Sequence, residues 1–99
     1  MWHTLSPGEP ISLLPSAPGV YVFLEDGLPI YIGESRTLVL RVKGHRQGQQ
    51  QRAVRFKRCV VKWRCERGLG EALMAEFRLI KKLRPLLNRQ TDQHGGGQS

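Results

Sequence analysis

The stretch GVYVFLEDGLPIYIG, residues 19–33, contains two apolar and aromatic runs on either side of a short Glu-Asp-Gly segment. Such runs around an Asp-Gly loop are typical of a β-hairpin. We therefore predict two antiparallel strands here. Pro29 has no amide hydrogen to donate, which favours an edge position for the second strand and an interior position for the first.

The length of the hairpin loop decides which way Tyr21 and Tyr31 point. A two-residue turn over 26–27 would pair Tyr31 with Val22, and the two tyrosines would face opposite sides of the sheet. A three-residue loop over 25–27 would place Tyr21 directly opposite Tyr31. The residues alone leave both registers open.

Three further elements follow the hairpin. Residues 35–50, SRTLVLRVKGHRQGQQ, have helical spacing, and residues 53–66, AVRFKRCVVKWRCE, alternate as a strand does. Residues 71–85, EALMAEFRLIKKLRP, predict a second helix that ends at Pro85. The order β-β-α-β-α indicates an α+β fold, with a small three-stranded antiparallel sheet in the order 2-1-3 flanked by helices.

The folded domain is expected to span residues 18–88. Residues 1–17 form a lead-in punctuated by proline and serine, with few periodic apolar positions. Residues 89–99, RQTDQHGGGQS, have the composition of a flexible tail or of a linker to a further domain.

The composition favours a polyanionic partner. Sixteen Lys and Arg against eight Asp and Glu give a formal net charge of +8 and a pI near 10.4, and nucleic acid is the commonest polyanion. Simple solubility is the alternative explanation of this charge. No run approaches the ~20 apolar residues of a membrane span, and the N-terminus has no signal-peptide pattern, so we expect no membrane association.

The two cysteines, Cys59 and Cys65, share one face of the predicted third strand. At the usual strand rise they would lie about 20 Å apart, too far for a disulfide. They do not form a zinc-binding pattern. We expect both to be reduced and buried in a cytoplasmic protein.

Glu76 is an unexpected residue in the last helix, because at 100° per residue it lies in the middle of the apolar stripe. A buried carboxylate is costly unless it is paired or holds a cation. An ion pair with Arg41 is one explanation. The other is a metal site, and a lone carboxylate suits Mg²⁺ or Mn²⁺, which keep several waters. The stripe consists of Leu69, Ala72, Leu73, Leu79, Ile80 and Leu83.

Arg41 and His45 are four residues apart and share one face of the first helix. This face could simply be basic and solvated. Arginine also suits the spreading charge of a phosphoryl transition state, and histidine can pass a proton near neutral pH.

The pair GVY at 19–21 and YIG at 31–33 resembles the signature of the GIY-YIG nuclease superfamily. The following Leu38, Arg41 and His45 match the family spacing. The segment ALMAEFRLIKKLRPLLN is similar to the family's later helix, with Glu76 as the metal-binding acid and Asn88 as the closing residue. This part looks most like the incision domain of the nucleotide-excision-repair nucleases and their small relatives. The resemblance covers residues 18–88.

The resemblance implies a DNA endonuclease that uses one Mg²⁺ or Mn²⁺ bound by Glu76. Tyr21 would orient or deprotonate the attacking water and pass its proton toward His45, and Tyr31 would place the water or the phosphate. Arg41 would steady the transition-state charge. Both hydroxyls are needed together, so the three-residue hairpin loop is predicted. Supporting roles are implied for Gly19, Gly33 and Asn88.

Glu34 departs from the family pattern, which often has a cationic or polar residue after YIG. Either Arg36 supplies the missing charge or Glu34 weakens phosphate binding. Phosphate contacts away from the site are predicted for basic residues of the first helix, its exit and the third strand: Arg36, Lys43, Arg46, Arg52, Arg55, Lys57, Arg58, Lys62 and Arg64.

Two other functions remain open. One is a DNA-binding module of the same fold with weak catalysis, and the other is a small basic RNA-binding protein. The DNA target is not decided by the sequence, and cleavage of both strands by one such site would require dimerisation or sequential nicks.

Overall fold

The computed structural model describes residues 1–48 and 51–88. Over these residues the order of elements is β-β-β-α-α-β-α, with one short 3-10 helix, and the α+β class is confirmed. The strands are β1 His3–Leu5, β2 Gly19–Glu25, β3 Leu28–Ser35 and β4 Val60–Cys65. The helices are the 3-10 turn Ile11–Leu13, α1 Leu38–Gln47, α2 Gln51–Lys57 and α3 Leu69–Leu83.

The sheet has the order β1-β4-β2-β3, and each neighbouring pair is antiparallel. The predicted arrangement of the hairpin and the third strand is confirmed, since β2 is central and β3 lies at an edge. The sheet also has a fourth strand that was not predicted. This strand, β1, comes from the lead-in and pairs His3 with Trp63 and Leu5 with Val61. Three residues are too few to show a periodic pattern.

Strand β2 is buried on both sides because helices cover both faces of the sheet there. Tyr21 and Phe23 belong to a core shared with α1 and α2. Val20 and Val22 belong to a second core, which includes Ala75 of α3. The described residues therefore form two cores, one on each face of the sheet.

Helix α2 replaces the first part of the predicted third strand, so the prediction for residues 53–57 was wrong. Ala53 and Phe56 are buried, whereas Val54 is 53% exposed. A buried pair three residues apart belongs to a helix face. The alternation that suggested a strand is real only for β4.

The hairpin has a two-residue turn, so the predicted three-residue loop was wrong. Asp26 and Gly27 have φ of 51° and 81°, and Glu25 pairs with Leu28. Positive φ at both central residues is the backbone of a turn that matches the right-handed twist of the strands.

A register shift in the hairpin nevertheless brings both tyrosines to one face. The pairing shifts between Phe23 and Leu24, which leaves Ile30 as an extra residue in β3. Beyond this bulge Tyr31 lies opposite Phe23, and Tyr21 lies opposite Gly33. Residues 21 and 23 share a face of the sheet, so Tyr31, which lies opposite Phe23, points to the same face as Tyr21. In a two-residue hairpin without the bulge, the two tyrosines would point to opposite faces.

Helix α3 packs through small residues. Ala72 and Ala75 are buried, whereas Leu73 is 46% exposed. The buried face is thus rotated from the predicted stripe, because alanines allow the helix to approach the sheet closely. Glu76 is half-buried at the margin of this face and not at its centre.

Cys59 is buried and Cys65 is exposed, so burial was wrongly predicted for the second thiol. Both are free. Among the described residues, no helix is long and apolar enough to cross a membrane.

Candidate active site

Tyr21, Tyr31 and His45 come from three elements and meet on the face of the sheet covered by α1 and α2. The Tyr21 hydroxyl lies 2.8 Å from His45 Nε2, within hydrogen-bond distance. The ring centroids of Tyr31 and His45 are 5.3 Å apart, and those of the two tyrosines are 6.4 Å apart. Phe56 of α2 packs against His45 and Tyr31, with centroids at 5.2 and 5.7 Å.

Glycine is required at position 33 because the Tyr21 side chain occupies the space beside it. A β-carbon there would collide with the Tyr21 hydroxyl and ring. At Gly19 a β-carbon would meet the backbone carbonyl of Arg64 and the Leu38 side chain. Gly33 of YIG therefore leaves room for the Tyr21 side chain. Gly19 of GVY leaves room for the backbone of β4 and for Leu38 of α1.

Burial sets the protonation states in this cluster. Burial, reinforced by the charges of Arg41 and Arg52, lowers the pKa of His45 from 6.5 to about 4. Burial also raises the pKa of Tyr21, and Tyr31 adds to that rise. At neutral pH the Tyr21–His45 pair is therefore a neutral phenol beside a neutral imidazole.

Two carboxylates act electrostatically on the tyrosines. Burial is the largest cause of the raised pKa of Tyr31, and the charge of Glu76 is the next. Glu34 has a smaller effect in the same direction, and Arg41 opposes both. Glu76 thus reaches the hydroxyl groups electrostatically from α3, although α3 packs on the other face of the sheet.

Beside the cluster lies an open cleft of about 720 Å³. It is bordered by the end of β3, by α1 and by the first residue of α3. Arg36 and Arg41 bring positive charge to the cleft, and Glu34 brings negative charge. Glu34, the unusual residue after YIG, therefore lines the same cavity as Arg36, the residue that could supply the missing positive charge. The lining residues are Glu34, Ser35, Arg36, Thr37, Leu40, Arg41, Gly44, His45 and Leu69.

Asn88 fixes the backbone of the edge strand next to the site. Its Oδ1 accepts a hydrogen bond from the Ile32 amide at 2.6 Å, and its Nδ2 donates one to the Ile32 carbonyl at 2.8 Å. Ile32 lies between Tyr31 and Gly33. The side-chain amide thus imitates a neighbouring strand for one residue of β3.

The predicted phosphate contacts divide into two groups. Arg36, Lys43 and Lys57 are exposed. Arg46, also predicted as a DNA contact, is instead only 8% exposed, and its Nη2 donates to the carbonyl of Cys59 at 3.2 Å.

Arg55, also predicted to contact DNA, forms an ion pair in the structure. Its Nε and Nη2 bind the two carboxylate oxygens of Glu25 at 2.9 and 2.7 Å. This bidentate pair joins α2 to the end of the hairpin. The sequence could not show it, since the two residues are thirty positions apart and the pattern around Arg55 predicts a strand.

Arg52 was not predicted as an active-site residue from the sequence. Its charge lowers the pKa of both His45 and Tyr31. It lies four positions before Phe56 and therefore shares the side of α2 that faces the site. The only available signal was this spacing, which has meaning once the segment is known to be a helix.

The donors around the tyrosines fit a hydrated divalent cation better than a fully protein-ligated one. Within the described residues, no group of three or more His, Cys, Asp and Glu side chains could hold a metal. Glu76 offers a single half-buried carboxylate, whose charge raises the pKa of both Tyr21 and Tyr31. Mg²⁺ commonly uses one or two carboxylates and completes its shell with water and phosphate oxygens.

Comparison with known proteins agrees with this fold. Residues 17–89 match the family model of the UvrC-like GIY-YIG domain. The chain is 38% identical over 82 residues to excinuclease cho of Salmonella typhi, a match that covers 81% of this chain and 28% of that protein. It is 39% identical over 87 residues to UvrABC system protein C of Agrobacterium fabrum, covering 82% of this chain and 13% of that protein.

A solved structure is also similar. The GIY-YIG N-terminal endonuclease domain of UvrC from Thermotoga maritima, bound to its catalytic divalent cation magnesium, superimposes with a TM-score of 0.70 at 35% identity. The match covers 77% of this chain and 88% of that domain.

The fold and the tyrosine–histidine site thus define a nuclease-type domain of the GIY-YIG class. Within that class, the chain belongs to the UvrC-like GIY-YIG family. It spans 28% of the length of excinuclease cho and 13% of that of UvrABC system protein C.

Proposed function

We propose that this chain is a magnesium-dependent DNA endonuclease domain that hydrolyses phosphodiester bonds at the cleft beside Tyr21, Tyr31 and His45. The observation that carries the proposal is the 2.8 Å contact between the Tyr21 hydroxyl and His45 Nε2. It joins two groups that can relay a proton next to a cleft lined by Arg41. The similar UvrC domain, which binds magnesium, supports the same activity.

The attacking water gives its proton to the Tyr21 oxygen while the Tyr21 hydroxyl proton passes to His45 Nε2. A free phenolate is disfavoured here, because burial raises the pKa of Tyr21. The relay avoids this state, since the phenol loses one proton as it gains another. Tyr31 holds the water or the phosphate in line.

DNA binding itself prepares His45 to accept the proton. In the free protein, burial and the charges of Arg41 and Arg52 hold the pKa of His45 near 4. A bound phosphate is anionic and offsets the field of these two arginines, which raises the pKa of His45 toward its ordinary value. Arg41 then stabilises the charge of the pentacovalent phosphorus.

Glu76 is the residue that would hold the cation, in a one-metal site. When bound, magnesium supplies Lewis-acid polarisation of the phosphate and charge stabilisation at the leaving 3′-oxygen. A phosphate in the cleft would contact Arg36, and phosphates beyond the cleft would contact the exposed Lys43 and Lys57. Gly19, Gly33 and Asn88 support the site by shape and backbone hydrogen bonds.

The cellular setting follows from the same chemistry. Two free thiols and a DNA substrate suit the reducing cytoplasm. The relatives are several times longer than this chain, so a further DNA-binding domain or a partner protein would supply target choice.

The proposal is tested by nicking of supercoiled plasmid at low salt. Wild-type protein with Mg²⁺ is expected to give relaxed circles, and Glu76→Gln or added EDTA to leave the plasmid intact. Glu9→Gln is the matched control, because Glu9 is a carboxylate of the lead-in and should change nothing. A gel shift on the same plasmid separates binding from cleavage. Binding without nicking by the wild type would overturn the endonuclease in favour of a binding module.

A further inference from the structure

The face of the sheet that carries α3 also carries a groove that the nuclease site does not use. Helix α3 packs on β2 and β3 and leaves the same face of β4 open. Two clefts of about 600 and 420 Å³ lie along α3, and Leu79 borders both. The larger is lined by Arg64 of β4, and the smaller by Lys62 of β4 together with residues of β2. We term these two neighbouring clefts the α3–β4 groove.

The floor of this groove is apolar and its walls are cationic. Val22, Leu24 and Leu79 line the smaller cleft. Within the described residues, Lys62, Arg78 and Lys82 line the groove and form no ion pair. The carboxylates that line it are Glu66 and Glu71, and Glu66 is held by Arg64 at 2.6 Å.

An aromatic side chain lies at the end of the groove. The Trp2 indole lines the smaller cleft and is 36% exposed. The Arg64 guanidinium lies 4.9 Å from the centre of its ring. Arg64 thus covers the indole from one side while the indole also borders the cleft. A flat apolar ring beside unpaired cations is the combination on which unstacked bases bind.

We propose that the α3–β4 groove is a second DNA site that binds a single strand, with a base stacked on Trp2 and phosphates on Lys62, Arg78 and Lys82. A duplex presents mainly phosphates, whereas a single strand also presents apolar base faces that suit the floor of the groove. The groove and the tyrosine–histidine cluster lie on opposite faces of the sheet, so a strand bound in the groove does not occupy the tyrosine–histidine site. The proposal goes beyond the nuclease function and does not require catalysis.

Tryptophan fluorescence tests this directly, since the chain has two tryptophans and only Trp2 borders the groove. Titration with a twelve-residue oligothymidylate at low salt is expected to quench the wild type, and Trp2→Phe should remove most of the quenching. Lys82→Ala should weaken binding by about threefold to tenfold, and Lys62→Ala with Lys82→Ala by more. Lys81→Ala is the matched control, because Lys81 is adjacent on the same helix and stacks on Phe77 outside the groove.

Three results would overturn the proposal. Equal weakening by Lys81→Ala and Lys82→Ala would show only general charge attraction. Loss of the quenching in Arg41→Ala would place the oligonucleotide in the active-site cleft. Stronger quenching by an oligoglutamate than by the oligonucleotide would assign the groove to an acidic peptide. If the wild-type protein does not nick DNA but still shows the Trp2 quenching, the nuclease proposal fails and the groove proposal stands.

Discussion

The hydroxyl and ring of Tyr21 fill the space that a methyl group at position 33 would need. We predict that Gly33→Ala displaces Tyr21 from His45 and reduces nicking by at least about a hundredfold, the usual contribution of a positioned proton-transfer group. Gly8→Ala is the control, because a β-carbon at Gly8 meets nothing within 4 Å. Plasmid nicking rates of the two variants check this, and equal rates would contradict it.

His45 should make the fold sensitive to acid. Its pKa is 6.5 ordinarily and about 4 in the folded protein, so the folded state prefers the neutral ring. The resulting stability is fully present above pH 6.5 and is lost as the pH falls toward 4. The loss should be on the order of 1–2 kcal/mol, since solvent screens a partly exposed ring.

Urea unfolding at pH 7 and pH 4.5 measures this loss. His45→Gln is expected to lose less stability between the two values than the wild type, because glutamine does not titrate. The acidic residues titrate in both proteins and cancel in the comparison. Parallel losses in the two proteins would show that the ring is not held neutral.

Arg52 should act on His45 through its charge. Because that charge lowers the pKa of His45, Arg52→Ala is expected to raise the pKa of His45. NMR titration of the His45 ring measures the change, with Arg58→Ala as a control from the segment after α2. An unchanged pKa in Arg52→Ala would remove Arg52 from the site.

At the level of single residues, the motif was enough to predict which side chains meet. Tyr21, Tyr31 and His45 lie together, and Arg41 lines the adjoining cleft. The burial and the pairing of individual arginines could not be predicted from the motif. Arg46 is buried and Arg55 is paired only because of where α2 packs, and nothing local in the sequence encodes that packing.

At the level of elements, the edge strand β3 depends on Asn88. We predict that Asn88→Ala lowers the free energy of unfolding by about 2–3 kcal/mol, because two buried hydrogen bonds to Ile32 are lost. Amide hydrogen exchange measures how far Asn88→Ala loosens β3 relative to the rest of the sheet. The Ile32 amide should lose more protection than the Val22 amide of the central strand, and equal losses would contradict a local role.

The sequence predicted the hairpin of the sheet correctly, but not the length of its loop or the helix α2. Two apolar and aromatic runs around a turn are a strong signal over the seven residues of β2, and the hairpin followed from it. The bulge at Ile30 has no sequence signal of its own, so the loop length was wrong even though the tyrosines share a face. Helix α2 was missed because a short amphipathic helix and an alternating strand look alike over seven residues.

At the level of the whole molecule, the excess of positive charge lies on both faces of the sheet. Arg36 and Arg41 line the active-site cleft, and Lys62 and Lys82 line the α3–β4 groove. Net charge predicted a polyanion but could not divide the cations into two surfaces. That division depends on α3 covering β2 and β3 while leaving β4 open.

The central claim is that one carboxylate, Glu76, holds the catalytic cation beside the tyrosine–histidine cluster. Titration with Mn²⁺ followed by NMR tests it most directly, because the paramagnetic ion broadens signals near its site. We predict broadening at Tyr31, Gly33 and the neighbours of Glu76 in the wild type, its retention in Glu71→Gln and its loss in Glu76→Gln. Broadening that survives Glu76→Gln, or that requires Glu34 instead, would contradict the claim.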